Sequence, residues 1–175
     1  MSEQKVRETI PLWLAVAITV VLSIPFGVYL GKYNFPLWAA FIVWAEYFAL
    51  GAKPSALALI YPAFSYGAIV TGASMFVTVL LAKAMDPNLA LAISLFIFVA
   101  FIVYSMRWWK TLQVGSLPLF NGISMLLAIY FTGSYPAAGN ALADPWIATA
   151  WTIVAGIFGG ILGWFNVTIT FPRKV

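Results

Sequence analysis

The chain has 175 residues, 63% of them hydrophobic and 8% charged, with no Cys, no His and a formal net charge of +4, and its mean hydropathy is +0.98. Soluble domains carry about 25% charged residues, so there is too little polar surface here to cover a water-soluble globule, and a bilayer is the expected surrounding. The missing Cys and His exclude disulfides, thiol nucleophiles, the commonest metal ligands and the imidazole proton shuttle.

The first predicted span covers 12–30, with Pro25 as an expected bend. It has spanning length and no small-residue cleavage site, so it reads as a retained helix and not a signal peptide. The second covers 36–50, opened by Pro36 and stopped by Gly51-Ala52-Lys53-Pro54. As a helix it rises only about 22 Å, against a hydrocarbon core of roughly 30 Å. The third covers 56–82, with Pro62 expected to divide a leading turn from the true helix over 63–81. After the Asp86-Pro87-Asn88 loop, a fourth span over 89–106 ends in Arg107-Trp108-Trp109-Lys110, an interfacial aromatic and basic anchor. Ser116-Leu117-Pro118 opens a fifth, short span that stops at Gly133, and a small-residue loop leads to a sixth over 146 to about 165.

Alternating the loops across the bilayer puts Lys5, Arg7, Lys53, Arg107, Lys110, Arg173 and Lys174 on one side and only Lys32 and Lys83 on the other. The positive-inside rule then makes both termini cytoplasmic. The basic residues act as topology signals, and no basic cluster suggests nucleic-acid binding.

The halves resemble one another. Ala17-Ile18-Thr19 with Phe26, Val28 and Tyr29 matches Ala92-Ile93-Ser94 with Phe101, Val103 and Tyr104. Pro36-Leu37-Trp38 with Gly51 matches Pro118-Leu119-Phe120 with Gly133, and Ile69-Val70-Thr71-Gly72 matches Ile153-Val154-Ala155-Gly156. Three spans per half force the second copy to enter the bilayer from the opposite side. The expected fold is an all-α integral membrane protein, a single domain over 1–175 with six transmembrane helices as two inverted three-helix repeats, about 12–82 and 89–166. In such folds a pair of short, Gly/Pro-bounded segments in corresponding positions points to a solute site at the repeat interface. The second and fifth spans are such a pair.

Glu46 is the one ionisable side chain well inside an apolar run. Such a residue normally faces a protein interior or wet cavity and has a partner. Its helical neighbours Ile42, Val43, Ala49 and Leu50 are apolar, so the partner must come from another span; Asn121, Ser124 and Tyr130 of the fifth and Ser65, Tyr66, Thr71 and Ser74 of the third are candidates. Without a buried cation a desolvated carboxylate can sit protonated and donate a hydrogen bond, or bind a cation. The competing expectation is a structural one, in which Glu46 snorkels to the headgroups or serves as a helix-packing hydrogen bond. Trp44 and Tyr47, at i and i+3, with Trp38 further back, could line a constriction for a planar polar solute, or sit in the interfacial aromatic belt. Gly156, Gly159, Gly160 and Gly163 form overlapping Gly-x-x-x-Gly patterns expected to pack helices, within the bundle or between copies. No catalytic constellation, phosphate cradle or metal-ligand cluster is present, so no enzyme activity and no cofactor is expected.

The stretch Trp38-Ala39-Ala40-Phe41 through Trp44-Ala45-Glu46-Tyr47-Phe48-Ala49-Leu50-Gly51 resembles the YcdZ-like family of small bacterial inner-membrane proteins, a domain of unknown function. The resemblance implies a multi-pass protein of the bacterial inner membrane and brings no activity or site residues. The six-helix proton-gated urea and amide channels are similar in size and assemble in rings, an analogy without a shared motif.

Together these features predict a channel or facilitator for a small polar or weakly charged solute, homo-oligomeric in the bilayer, with Glu46, Trp44, Tyr47, Asn121, Ser124, Tyr66 and Tyr130 along the pathway. The alternatives are a proton- or cation-coupled secondary transporter using the same carboxylate, and a structural membrane partner that docks through the glycine face.

Overall fold

The computed structural model describes residues 8–171. Lys5, Arg7, Arg173 and Lys174, used above to orient the termini, lie outside them. The described residues form an all-helical bundle: α1 (Leu12–Tyr29), α2 (Leu37–Ala49), α3 (Pro54–Leu81), α4 (Pro87–Ser105), α5 (Lys110–Val114), α6 (Ser116–Thr132) and α7 (Asp144–Thr170). Four of these, α1, α3, α4 and α7, are long and apolar enough to cross a membrane, while α2 and α6 are shorter apolar helices. At 13 and 17 residues the short pair rises about 20 and 26 Å.

Local sequence explains most of the boundaries. Pro36 precedes the first turn of α2, and Gly51, at φ +93°, ends it in the left-handed region that glycine adopts without a Cβ penalty. There the Ala52 N–H bonds the Tyr47 carbonyl at 2.8 Å, the six-to-one bond of a Schellman cap. Gly133, at φ +65°, ends α6 in the same manner, with the Ser134 N–H on the Ile129 carbonyl at 3.0 Å. Asp86 caps α4, its carboxylate accepting from the Asn88 and Leu89 N–H groups at 3.0 and 3.1 Å.

Three segments differ from the sequence expectation. α3 is continuous from Pro54 to Leu81, with Pro62 inside it. Ile60, Ala63 and Phe64 are buried on either side of the proline, and this packing holds the helix through the one lost backbone bond. The Arg107–Lys110 anchor leads into a further short helix, α5. α7 runs on past 165 to Thr170, where Thr168 and Thr170 return their hydroxyls to the Trp164 and Asn166 carbonyls at 2.8 and 2.9 Å. Back-bonding lets polar residues continue an apolar helix with their hydroxyls paired.

The core lies among α2, α3, α6 and α7. α6 packs chiefly on α3, and α2 chiefly on α7; α3 and α7 also pack on each other. The close approaches are made at small residues. A Cβ at Gly67 would overlap the Leu119 carbonyl, a Cβ at Gly122 the Phe64 carbonyl, and a Cβ at Gly159 the Ala40 carbonyl. Gly156, Gly160 and Gly163 meet the rings of Phe64, Tyr61 and Tyr47. The glycine stripe of α7 is therefore occupied inside the protomer, with backbone-to-backbone contact as its physical basis.

α1 and α4 lie at the periphery. α1 buries only Ala15, Thr19 and Ser23, and α4 only Ala90, Ser94, Ile102 and Ser105. Their outer faces expose large apolar side chains such as Val21, Phe26, Phe96 and Ile97, a surface suited to lipid. Each is tied to a long helix by a polar pin: Asn166 of α7 donates to the Thr19 hydroxyl at 3.1 Å, and Ser94 of α4 donates to the Ser74 carbonyl of α3 at 2.7 Å.

Candidate functional site

α2 turns about half of its circumference inward, burying Ala39, Ala40, Val43, Trp44, Glu46 and Tyr47. Glu46 is 2% exposed, inside the bundle. Its Oε1 accepts a hydrogen bond from Asn121 Nδ2 on α6. Every described Lys and Arg is exposed, so no buried cation pairs with the carboxylate. Nor, among the described residues, do three Asp or Glu side chains gather as a metal site would require. A cation at Glu46 would be held by one carboxylate and neutral oxygens.

Among the described residues, four buried side-chain atoms have no hydrogen-bond partner: Glu46 Oε2, Trp44 Nε1, Tyr47 OH and Asn166 Oδ1. Leaving such a group unpaired costs about 1–3 kcal/mol, so native interiors hold few of them. Three of the four sit on one turn of α2. They comprise an acceptor, a donor and a hydroxyl that can do either. The Trp44 ring is edge-on to Phe41 at 5.8 Å and tilted against Phe48 at 6.3 Å, while the Tyr47 ring lies over Gly163. Trp38 points elsewhere and is exposed, because it lies on the outer stripe of α2 with Ala45 and Ala49.

The remaining sequence candidates are dispersed. Ser124 is exposed and returns its hydroxyl to the Phe120 carbonyl at 3.0 Å. Tyr66 donates to the Ser105 hydroxyl at 2.7 Å and meets the Trp109 ring edge-on at 5.7 Å, in the seam between α3 and α4. Tyr130, near the end of α6, stacks on Tyr135 with centroids 6.1 Å apart. Thr71 bonds the Gly67 carbonyl of its own helix at 2.8 Å. Of the seven expected pathway residues, the structure joins Glu46 to Asn121, with Trp44 and Tyr47 on the same turn, and separates Ser124, Tyr66 and Tyr130 from them.

Sequence reasoning passed over Asn166, which is fully buried and bonded to Thr19. It lies one position past the expected end of the last span. The available signal was that a carboxamide inside an apolar helix needs a partner as Glu46 does.

A family model described as "Protein of unknown function (DUF1097)" matches residues 10–170. No curated protein and no solved structure matches the chain. With nearly the whole described bundle inside the match, the chain belongs to the DUF1097 family of proteins of unknown function.

Proposed function

We propose that this protein is a channel or facilitator for a small polar or weakly charged solute, and that Glu46 with Asn121 forms its recognition point. The observation that carries the reading is the turn of α2 on which Glu46 Oε2, Trp44 Nε1 and Tyr47 OH are buried without partners. A solute bearing both donors and acceptors, such as an amide or a polyol, would satisfy Glu46 Oε2 and Tyr47 OH at adjacent positions of the helix, while Trp44, two positions before Glu46, faces another side of it.

The architecture proposed with it is six spans in two inverted repeats, in a bacterial inner membrane as the YcdZ-like resemblance implies. It is supported by the pairing of α2 with α7 and of α6 with α3, so that each short helix packs on the long helix of the other half. Gly51 and Gly133, matched in the sequence, close the two short helices with the same cap. Thr19 and Ser94, also matched, pin the two peripheral helices to long ones. Broken or short helices meeting at a repeat interface are where such folds hold their solutes.

A coupled transporter is the second reading, favoured by the carboxylate's lack of a cationic partner, which leaves it free to exchange a proton. The test is purified protein in liposomes, wild type against Glu46→Gln, assayed for swelling with a panel of small amides and polyols and for proton flux. Gln retains a carbonyl oxygen for Asn121, so the bundle persists. Solute flux that the substitution alters supports the facilitator; uphill flux at the expense of a pH gradient replaces it with the transporter. Absence of flux from folded protein rejects both.

A further inference from the structure

The chain leaves α4 at Ser105, turns through Arg107, Trp108 and Trp109, and enters α5 at Lys110. Between this elbow and α3 lies a groove of about 460 Å³, with Ala58, Pro62 and Tyr66 on one wall and Trp108, Trp109 and Lys110 on the other. The groove walls are one stripe of α3 at helical spacing and one basic, aromatic turn. None of these residues belongs to the Glu46 site.

We infer that this groove binds an anionic phospholipid with a hydroxylated headgroup, of the phosphatidylglycerol kind. Three features of the groove carry the assignment.

The first is charge. Lys110 lines the groove, Arg107 lies beside it with its guanidinium 4.1 Å from the Tyr104 ring centroid, and all are exposed. No described carboxylate neutralises them. Glu46 is buried against Asn121, Asp86 caps the far end of α4, Asp144 opens α7 and binds the Ala138 N–H, and Glu8 accepts from Leu12 N at the start of α1. A basic side chain near an anionic lipid surface contributes about 1 kcal/mol, roughly fivefold in affinity.

The second is the aromatic wall. Trp108 and Trp109 are each 53% exposed and meet each other edge-on at 6.4 Å, as amphipathic rings do at headgroup depth. The exposed apolar stripe of α4 with Phe101 and Ile97, one turn apart, runs from there toward the helix's middle and offers a track for acyl chains. A free phosphate would use only the cations; a lipid uses both.

The third is a backbone acceptor. Pro62 has no N–H, so the Ala58 carbonyl one turn earlier lacks its helical donor, and both residues line the groove. A headgroup hydroxyl can supply that donor while the phosphate meets Lys110.

Native mass spectrometry of the full-length protein in detergent tests this, with phosphatidylglycerol, phosphatidylcholine and phosphatidic acid added at equal concentration. Wild type is expected to retain phosphatidylglycerol over phosphatidylcholine, and Lys110→Gln to lose roughly fivefold of that preference. Lys83→Gln, on an exposed loop, is the control and should change nothing. Pro62→Ala restores a helical N–H to the Ala58 carbonyl and should lower phosphatidylglycerol to the level of phosphatidic acid. Equal retention of phosphatidylcholine by wild type, or an unchanged preference in Lys110→Gln, overturns the lipid site. Displacement by inorganic phosphate at comparable concentration transfers the site to a free anion and also overturns it. Unchanged discrimination in Pro62→Ala rejects the hydroxyl assignment. All these readouts are independent of solute flux, so the facilitator reading can fail while this site stands.

Discussion

Asn121 of α6 donates a hydrogen bond to the carboxylate of Glu46 on α2, joining two short helices across 75 positions of sequence. It is the only side-chain partner the Glu46 carboxylate has among the described residues. Asn121→Ala removes it and leaves the whole carboxylate buried and unpaired, which should destabilise the bundle by about 1–3 kcal/mol. Asn121→Ala in a Glu46→Leu background should cost less, because no buried polar group is then orphaned. Denaturant or thermal unfolding of the four proteins of this double-mutant cycle measures the difference.

Gly159→Ala should be strongly destabilising, since its Cβ would overlap the Ala40 carbonyl, a backbone atom that cannot swing away. Overpacking of this kind costs about 1–3 kcal/mol. Gly31→Ala is the control, because nothing lies within 4 Å of a Cβ there. Equal thermal stability of the two variants would contradict the α2–α7 contact.

Asn166→Ala breaks the pin to Thr19 and should loosen α1 from α7, at a cost of about 1 kcal/mol. Hydrogen exchange should rise across Leu12–Tyr29 and stay unchanged in α4. Faster exchange in both peripheral helices alike would mean that the pin is not what holds α1.

Single cysteines can report sidedness directly, because the chain has none of its own. With six spans, Lys53→Cys and Lys110→Cys should react with a membrane-impermeant maleimide from one face, and Lys32→Cys and Lys83→Cys from the other. If α2 and α6 do not cross, this two-and-two division fails.

What could be read in the chain beforehand was local. The four long apolar runs, the stops at Gly51 and Gly133, and the shortness of the segments they close follow from hydropathy and from glycine's access to positive φ. Glu46 drew notice by chemical contrast with its neighbours. Pro62 misled because its break was weighed without the packing of Ile60, Ala63 and Phe64 that bridges it. Asn166 was passed over because hydropathy ends a span at the first polar residues, whereas the hydroxyls of Thr168 and Thr170 are satisfied by the helix itself.

The sequence by itself determined the class of the protein, the stops of its two short helices and the identity of its one deep carboxylate. Only the tertiary structure decided that Asn121 and not Ser124, Tyr66 or Tyr130 meets Glu46, and that the glycine stripe of α7 is filled by α2 and α3. The reason is that a helix in lipid is apolar on its outer face as well as its inner one. Periodicity therefore carries little information about which side is buried, and the choice falls to close backbone contact and a few interhelical hydrogen bonds.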